Sequence, residues 1–306
     1  MKPLLLSSPA KINLFLEVGP KRADGYHELR TLMARLALAD TLRIRPLISW
    51  PKATLAPRLK LRFAQGYPIE SRRLLQAAPY DNLILRAWRL LAGEHGRVAR
   101  RPIEIALLKK IPCGAGLGGG SSNAAIALVG LDKFFHLRLS RRRLLELGAR
   151  LGSDVPFFLR AAWNSKTSLW WARGRGEKLR PVNLAWRSSV LLIYPGFGMS
   201  TKKAYEVLDS RRPAWLTKIS ILPTLLTHLK TGQRGYRSVG FNSFQDALFE
   251  RLAALRRLKR KLDLMGARPA LTGSGSCLYA LGSQRQVRQW SRALNARVTR
   301  YITAVE

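Results

Sequence analysis

Lys11 and Asn13 stand two residues apart in SPAKINLFLEV, residues 8–18, where Ala10, Ile12, Leu14 and Leu16 alternate with Lys11, Asn13, Phe15 and Glu17. That period of two is a strand signature, and it puts the ammonium and the amide on one face, opposite the aliphatic row. A strand lysine is usually solvated. With an amide beside it and apolar sequence around it, a pair turned into a site is the competing reading. Asp154, in GSDVP, is open to two readings as well: a helix cap or a catalytic carboxylate. Residues 22–28 form a turn centred on Asp24-Gly25 that presents Tyr26 and His27, either as plain loop residues or as ligand contacts.

The strongest chemical signal lies between these. Residues 109–135 read KKIPCGAGLGGGSSNAAIALVGLDKFF, with Gly114, Gly116, Gly118, Gly119 and Gly120 packed into seven positions. Glycine lets backbone N–H groups turn inward without a Cβ in the way. A helix expected to begin at Ser121-Ser122-Asn123 adds unpaired N–H groups and the positive end of its dipole. Together they suit a phosphate. A flexible linker would not run straight into an apolar helix behind such a start signal.

These residues need elements to hold them. A strand over 8–18 carries Lys11, a second apolar strand covers 29–44, and a strand over 103–108 feeds the glycine loop. Asp81-Asn82-Leu83 opens a helix with Leu83, Ala87, Leu90 and Leu91 on one face. Ser140 caps a helix over 141–151, which ends at Gly152 just before Asp154. Strand-like pieces cover 168–172, 178–182 and 190–194. Helices are expected at 201–208 and 284–295, one long basic helix at 242–264, and a last strand at 298–303. A second glycine turn lies within ALTGSGSCLYAL, residues 270–281. Residues 46–80 have a short strand at 59–63 and otherwise lack periodicity, and 209–240 mix helix and loop.

The chain has 306 residues, 47% of them apolar, enough for one large domain or two ordinary ones with real cores. No apolar run approaches the roughly 18 residues of a membrane span, and the start of the chain reads as a strand, not a signal peptide. Cys113 and Cys277 cannot make a disulfide framework, and with four scattered His they have no structural zinc spacing. They read as small buried residues of a protein kept in a reducing cytoplasm. Lys and Arg number 54 against 18 Asp and Glu, a net charge of +36. Such a field attracts anions, including nucleic acid without sequence preference. The basic residues are spread along the chain without any nucleic-acid-binding signature, so compositional bias is the preferred explanation.

Three separated motifs coincide: SPAKINLFL at 8–16, PCGAGLGGGSSNAA at 112–125 and TGSGSC at 272–277. The chain resembles the GHMP kinase superfamily of small-molecule kinases. RADGYHEL after the first motif, the long loop form GLGGGSSNAA, LGSDVPFFL at 151–159 and DNL at 81–83 are similar to its members acting on a cytidine diphosphate-linked methylerythritol. The resemblance covers most of the chain and is weakest over 46–80 and 209–240. It implies an α+β, two-domain GHMP kinase fold with the active site in the cleft between the domains. The N-terminal ATP-binding domain, residues 1–165, would carry a left-handed βαβ unit, and the C-terminal domain, 166–306, would be ferredoxin-like. It implies that ATP phosphorylates the 2-hydroxyl of the methylerythritol part in isoprenoid precursor synthesis, with Mg2+ as companion.

The resemblance assigns residues too. Lys11 and Asp154 become the catalytic pair. The loop of Pro112, Cys113, Gly114, Ala115, Gly116, Leu117, Gly118, Gly119, Gly120, Ser121 and Ser122 wraps the ATP phosphates, with either serine able to bond phosphate oxygens or orient Mg2+. Asn82 and Lys109 match positions near the adenine. Asn13, Tyr26, His27 and Thr201 match positions that hold the substrate, and a cytosine suits an aromatic face with a directional hydrogen bond. Gly273 and Gly275 would let the third motif approach the loop. A small-molecule substrate, no membrane, only nonspecific contact with nucleic acid, and a monomer or weak homodimer are the expected partners and state. Two rivals remain: another GHMP kinase acting on mevalonate, homoserine or a sugar, and a basic nucleic-acid-binding protein on a kinase-like fold.

Overall fold

A computed structural model describes residues 2–47, 56–77, 81–184, 186–210, 221–231, 239–294 and 298–305. The expectations for 46–80, 209–240 and the end of the 284–295 helix fall partly outside these residues. In chain order come strands β1 (Leu4–Lys21), β2 (His27–Pro46) and β3 (Arg58–Phe63), then helices α1 (Ile69–Ala77), α2 (Leu83–Glu94) and α3 (Gly96–Ala99). Next are β4 (Ile103–Lys109), α4 (Gly119–Phe134), α5 (Arg141–Leu151), α6 (Val155–Trp163), β5 (Leu169–Gly174), β6 (Lys178–Val182) and β7 (Ser189–Tyr194). The chain continues through α7 (Thr201–Asp209), α8 (Leu222–Thr231), α9 (Gln245–Arg251), α10 (Ala253–Leu264), β8 (Ala270–Leu271), β9 (Leu278–Gly282), α11 (Gln284–Ala293) and β10 (Thr299–Ala304).

These elements gather into two compact units: Met1–Ala10, Ala39–Cys113 and Gly118–Ser165 form the first, and Lys11–Leu38, Gly114–Leu117 and Lys166–Glu306 the second. In the first unit the end of β2 pairs antiparallel with β4, Thr41 opposite Leu108, and β3 pairs parallel with β4. A parallel pair needs a long crossover, which α1, α2 and α3 supply. Helices α2, α4, α5 and α6 pack on one another around Ala87, Leu91, Leu128, Leu131, Leu147, Phe157 and Phe158, all buried. A Cβ built at Gly130 would lie 2.5 Å from Leu6 and 2.8 Å from Ile44, so this glycine is what lets α4 lie close on the strands.

In the second unit the start of β2 pairs antiparallel with β5, and β5 with β6. A separate antiparallel sheet runs β10-β7-β9-β8. α11 packs against it, its Val287 and Trp290 buried in a core with Leu191, Ile193, Leu248, Leu255, Leu278 and Ala280. A capping box between Ser283 and Gln286 starts α11.

Three elements depart from the sequence reading. The expected helix over 242–264 is two, broken at Leu252, whose φ of −112° and ψ of 89° are not helical. Residues 155–163, where the sequence reading places no helix beyond Asp154 as a possible cap, form α6, and Pro156 sits in its first turn, where a missing N–H costs nothing. Helix α4 begins at Gly119 behind Gly118 in the left-handed conformation, not at the Ser-Ser-Asn run, which lies inside the helix.

Candidate active site

The glycine loop follows β4. Gly114, Gly116 and Gly118 have φ of 65°, 73° and 69°, alternating with residues of negative φ. Such alternation turns successive N–H groups to one side and makes an anion-binding nest. Burial alternates as well: Ala115 and Leu117 are buried while the three glycines are half-exposed, so the backbone is what the loop presents. The carbonyls are engaged inward. Gly114 O accepts from Met199 N at 2.8 Å, Ala115 O from Cys277 N at 3.2 Å and Leu117 O from Lys11 N at 3.0 Å, all within the second unit. A Cβ at Gly116 would overlap the Thr272 carbonyl oxygen, and one at Gly273 would lie 2.9 Å from Gly116 O. The TGSGSC motif therefore supports the loop by close backbone approach at Gly273, whereas a Cβ at Gly275 would meet Leu271 and Leu248 and not the loop.

In the first unit, α4 starts without a side-chain cap, leaving first-turn N–H groups and the dipole for an anion. Its serines are not equivalent. Ser121 is half-exposed, whereas Ser122 is buried and its Oγ accepts from Ser8 Oγ at 2.8 Å. A Cβ at Gly152 would lie 3.9 Å from Ser121 Oγ. The chain leading to Asp154 therefore passes beside the first turn of α4. Asp154 stands at the N-cap position of α6, half-exposed, and its carboxylate makes no capping bond to that helix. By contrast, Asn82 spends Oδ1 on capping α2, accepting from Ile84 N at 2.9 Å, and Ser140 caps α5 through Arg143 N. Lys109 is 2% exposed, its Nζ paired with Asp40 and donating to Asn123 Oδ1 at 3.2 Å.

In the second unit, Lys11 and Asn13 share a face and are each 4% exposed, and Lys11 Nζ donates to Asn13 Oδ1 at 2.7 Å. Asn13 is itself held firmly. Its Oδ1 also accepts from Gly273 N at 3.0 Å, its Nδ2 donates to Thr31 Oγ1 at 2.8 Å, and its N–H donates to Thr272 Oγ1 at 3.2 Å. Asn242 Nδ2 in turn donates to Leu271 O and Gly273 O, each at 2.9 Å. Thr31, Thr272 and Asn242 went unnoticed in the sequence. Thr272 alone had a signal, its place in TGSGSC; the other two reach the site only through folding.

Tyr26 is exposed, with the Arg175 guanidinium 4.7 Å from its ring centroid. His27 is buried, stacked on Tyr205 at 4.9 Å, with Nδ1 3.0 Å from Gly19 O and Nε2 3.3 Å from Asp209 Oδ1. Both ring nitrogens thus face oxygen acceptors. Thr201 begins α7, exposed, with Oγ1 3.2 Å from Ser274 Oγ.

Residues 82–161 match the GHMP kinases N terminal domain. Over 287 residues the chain is 37% identical to the 4-diphosphocytidyl-2-C-methyl-D-erythritol kinase of Solibacter usitatus, covering 92% of this chain and 81% of the relative. A crystal structure of 4-(cytidine 5'-diphospho)-2C-methyl-D-erythritol kinase superimposes with a TM-score of 0.74 at 30% identity, covering 99% of this chain and 100% of that one. A homoserine kinase from Cytophaga hutchinsonii has a TM-score of 0.62 at 16% identity, over 100% of this chain and 95% of that one, and shares the fold alone.

Proposed function

The chain belongs to the 4-diphosphocytidyl-2-C-methyl-D-erythritol kinase family of GHMP kinases, and on that premise we propose how its residues divide the work. It is an ATP-dependent phosphotransferase of isoprenoid precursor biosynthesis. The acceptor is the 2-hydroxyl of the methylerythritol part of the cytidylyl substrate, and the products are ADP and the 2-phosphate. In sequence terms, residues 1–165 are assigned as the ATP-binding domain and 166–306 as the C-terminal domain.

Phosphoryl transfer asks for an in-line nucleophile and for neutralised phosphate charge, with little covalent chemistry from the protein. The N–H groups of residues 113–120 and the start of α4 cradle the phosphates. Mg2+ keeps mostly waters and phosphate oxygens as ligands and needs few from the protein. Among the described residues no three His, Cys, Asp or Glu side chains gather around a metal position. The half-exposed Ser121 hydroxyl would hold such an ion together with the nucleotide, and the ion would supply charge neutralisation. Ser122, its hydroxyl turned to Ser8 and its N–H bonded to Gly118 O at 2.9 Å, holds the first turn of α4 in place from behind.

Asp154 accepts the proton of the attacking hydroxyl, late in a loose transition state that demands little prior deprotonation. Lys11 stabilises the charge that develops. The observation that carries this reading is the double attachment of Lys11: its ammonium is held by Asn13 at 2.7 Å and its own N–H by the loop carbonyl of Leu117 at 3.0 Å. Substrate positioning falls to the Asn13 amide, Tyr26, His27 and Thr201. Near the adenine, Asn82 and Lys109 are assigned together. Since Asp40 and Asn123 engage the Lys109 ammonium, its contribution there is its main chain. Cys113 and Cys277, both reduced, suit work in a reducing cytoplasm.

Replacing Asp154 with Asn tests the assignment. Turnover measured by ADP release is expected to fall about 10²- to 10⁴-fold, with KM for both substrates changed only a few-fold. Near-normal turnover in Asp154→Asn would remove Asp154 from the reaction.

A further inference from the structure

Asp40, on β2, is fully buried, and no step assigned above uses it. Its Oδ1 accepts the N–H of Lys110 at 2.7 Å and of Ile111 at 2.9 Å. Its Oδ2 accepts from Lys109 Nζ and from Asn123 Nδ2, the latter at 2.9 Å. Asn123 also donates to Ser8 Oγ at 2.9 Å, and Ser8 donates to Ser122 Oγ at 2.8 Å. All of these residues lie in the first unit.

Lys110 and Ile111 immediately precede Pro112, where the glycine loop begins. Ser122 and Asn123 lie just inside α4, where it ends. One carboxylate therefore pins both ends of the loop. A buried ion pair is a poor device for stability alone, since apolar residues of like volume often serve as well. What apolar residues lack is directional bonding to N–H groups arriving from two elements at once. Glycine-rich backbone loses more freedom on ordering than any other. Fixing both ends beforehand leaves less to be ordered when a ligand binds.

We propose that Asp40, with Lys109 and Asn123, is a positioning residue that sets the affinity of the phosphate loop for ATP without touching the nucleotide. The proposal rests on the reading that residues 112–122 bind ATP. An Asp40→Asn side chain would turn an amide donor toward either the Lys110 and Ile111 N–H groups or the Lys109 ammonium, so donor would meet donor.

The test is steady-state kinetics together with amide hydrogen exchange. In Asp40→Asn the KM for ATP is expected to rise about tenfold, with the KM for the cytidylyl substrate within about twofold of wild type. Amides of residues 113–119 should exchange faster without nucleotide, while those of β7 stay unchanged. If Asp40→Asn does not accumulate as folded protein, Asn123→Ala carries the test, with a smaller rise of about threefold in the KM for ATP alone. Wild-type KM for ATP in the folded variant or variants, or equal rises for both substrates, overturns the proposal. Exchange in wild-type protein separates the two readings. If ATP fails to protect 113–122, the loop assignment itself fails. If ATP protects them and the KM for ATP does not respond, only the role of Asp40 fails.

Discussion

At the residue scale, spacing was informative where side-chain direction follows from local backbone geometry. Lys11 and Asn13 had to share a face on a strand, and their 2.7 Å bond follows from that spacing. Which face turns inward was not local: burial of the polar pair depends on Gly273, Thr272 and Thr31 supplying partners from distant segments. Ser121 and Ser122 were indistinguishable as neighbours in sequence. On a helix, adjacent residues point about 100° apart, so one is half-exposed and the other lies against Ser8. The two cysteines, both expected to be buried, divide in a similar way: Cys113 is half-exposed and Cys277 buried. Burial pushes the Cys277 thiol up to about 12. At about pH 8, where an ordinary thiol near 8.5 is partly ionised, iodoacetamide should leave Cys277 unmodified in folded protein and label it in denaturant. Mass spectrometry of the peptide spanning TGSGSC reads the difference, and labelling of folded protein would contradict the buried placement.

At the element scale, the glycine loop was legible because Gly114, Gly116 and Gly118 take a left-handed φ that glycine alone adopts freely. Gly116 has φ of 73°, and a Cβ there would strike the Thr272 carbonyl. Gly116→Ala should therefore lower stability by about 1–3 kcal/mol, read as a lower denaturation midpoint, and should weaken ATP binding. Gly120 offers a contrast inside α4, where a Cβ would meet only Leu83 at an ordinary 3.6 Å. Gly120→Ala should hold stability or raise it by up to about 1 kcal/mol. A loss in Gly120→Ala equal to that in Gly116→Ala would undo the distinction. Helices with caps were found where the caps predicted them: Asn82 begins α2 and Ser140 begins α5. Helices without a strong signal were missed. α1 follows an aperiodic, Arg-rich stretch, and the break between α9 and α10 at Leu252 has no glycine or proline to announce it.

At the scale of the whole molecule, a net charge of +36 acts on two anionic substrates at once. Screening lengths fall below about 10 Å above roughly 0.1 M salt. The KM values for ATP and for the cytidylyl substrate should therefore rise together as NaCl is increased, with turnover less affected. Binding to duplex DNA should be sequence-independent and fall off even more steeply with salt. A flat salt response of both KM values would mean that the basic surface has no part in substrate capture.

The chain by itself determined the local elements and the order of motifs, and the reaction class and α+β fold came through the resemblance those motifs carry to GHMP kinases. Strand alternation, glycine patterning and caps are local, and their geometry repeats wherever they occur. The chain's linear division at 165/166 did not show how it interleaves between the two compact units. Lys11–Leu38 and Gly114–Leu117 belong with the C-terminal segment, while Met1–Ala10 belongs with Ala39–Cys113 and Gly118–Ser165. It likewise gave no hint that Asp40 and Lys109, 69 residues apart, form a buried pair under the phosphate loop. A buried charge is tolerable only where partners converge on it from several elements, and that convergence is a property of the packed molecule, not of any stretch of its sequence.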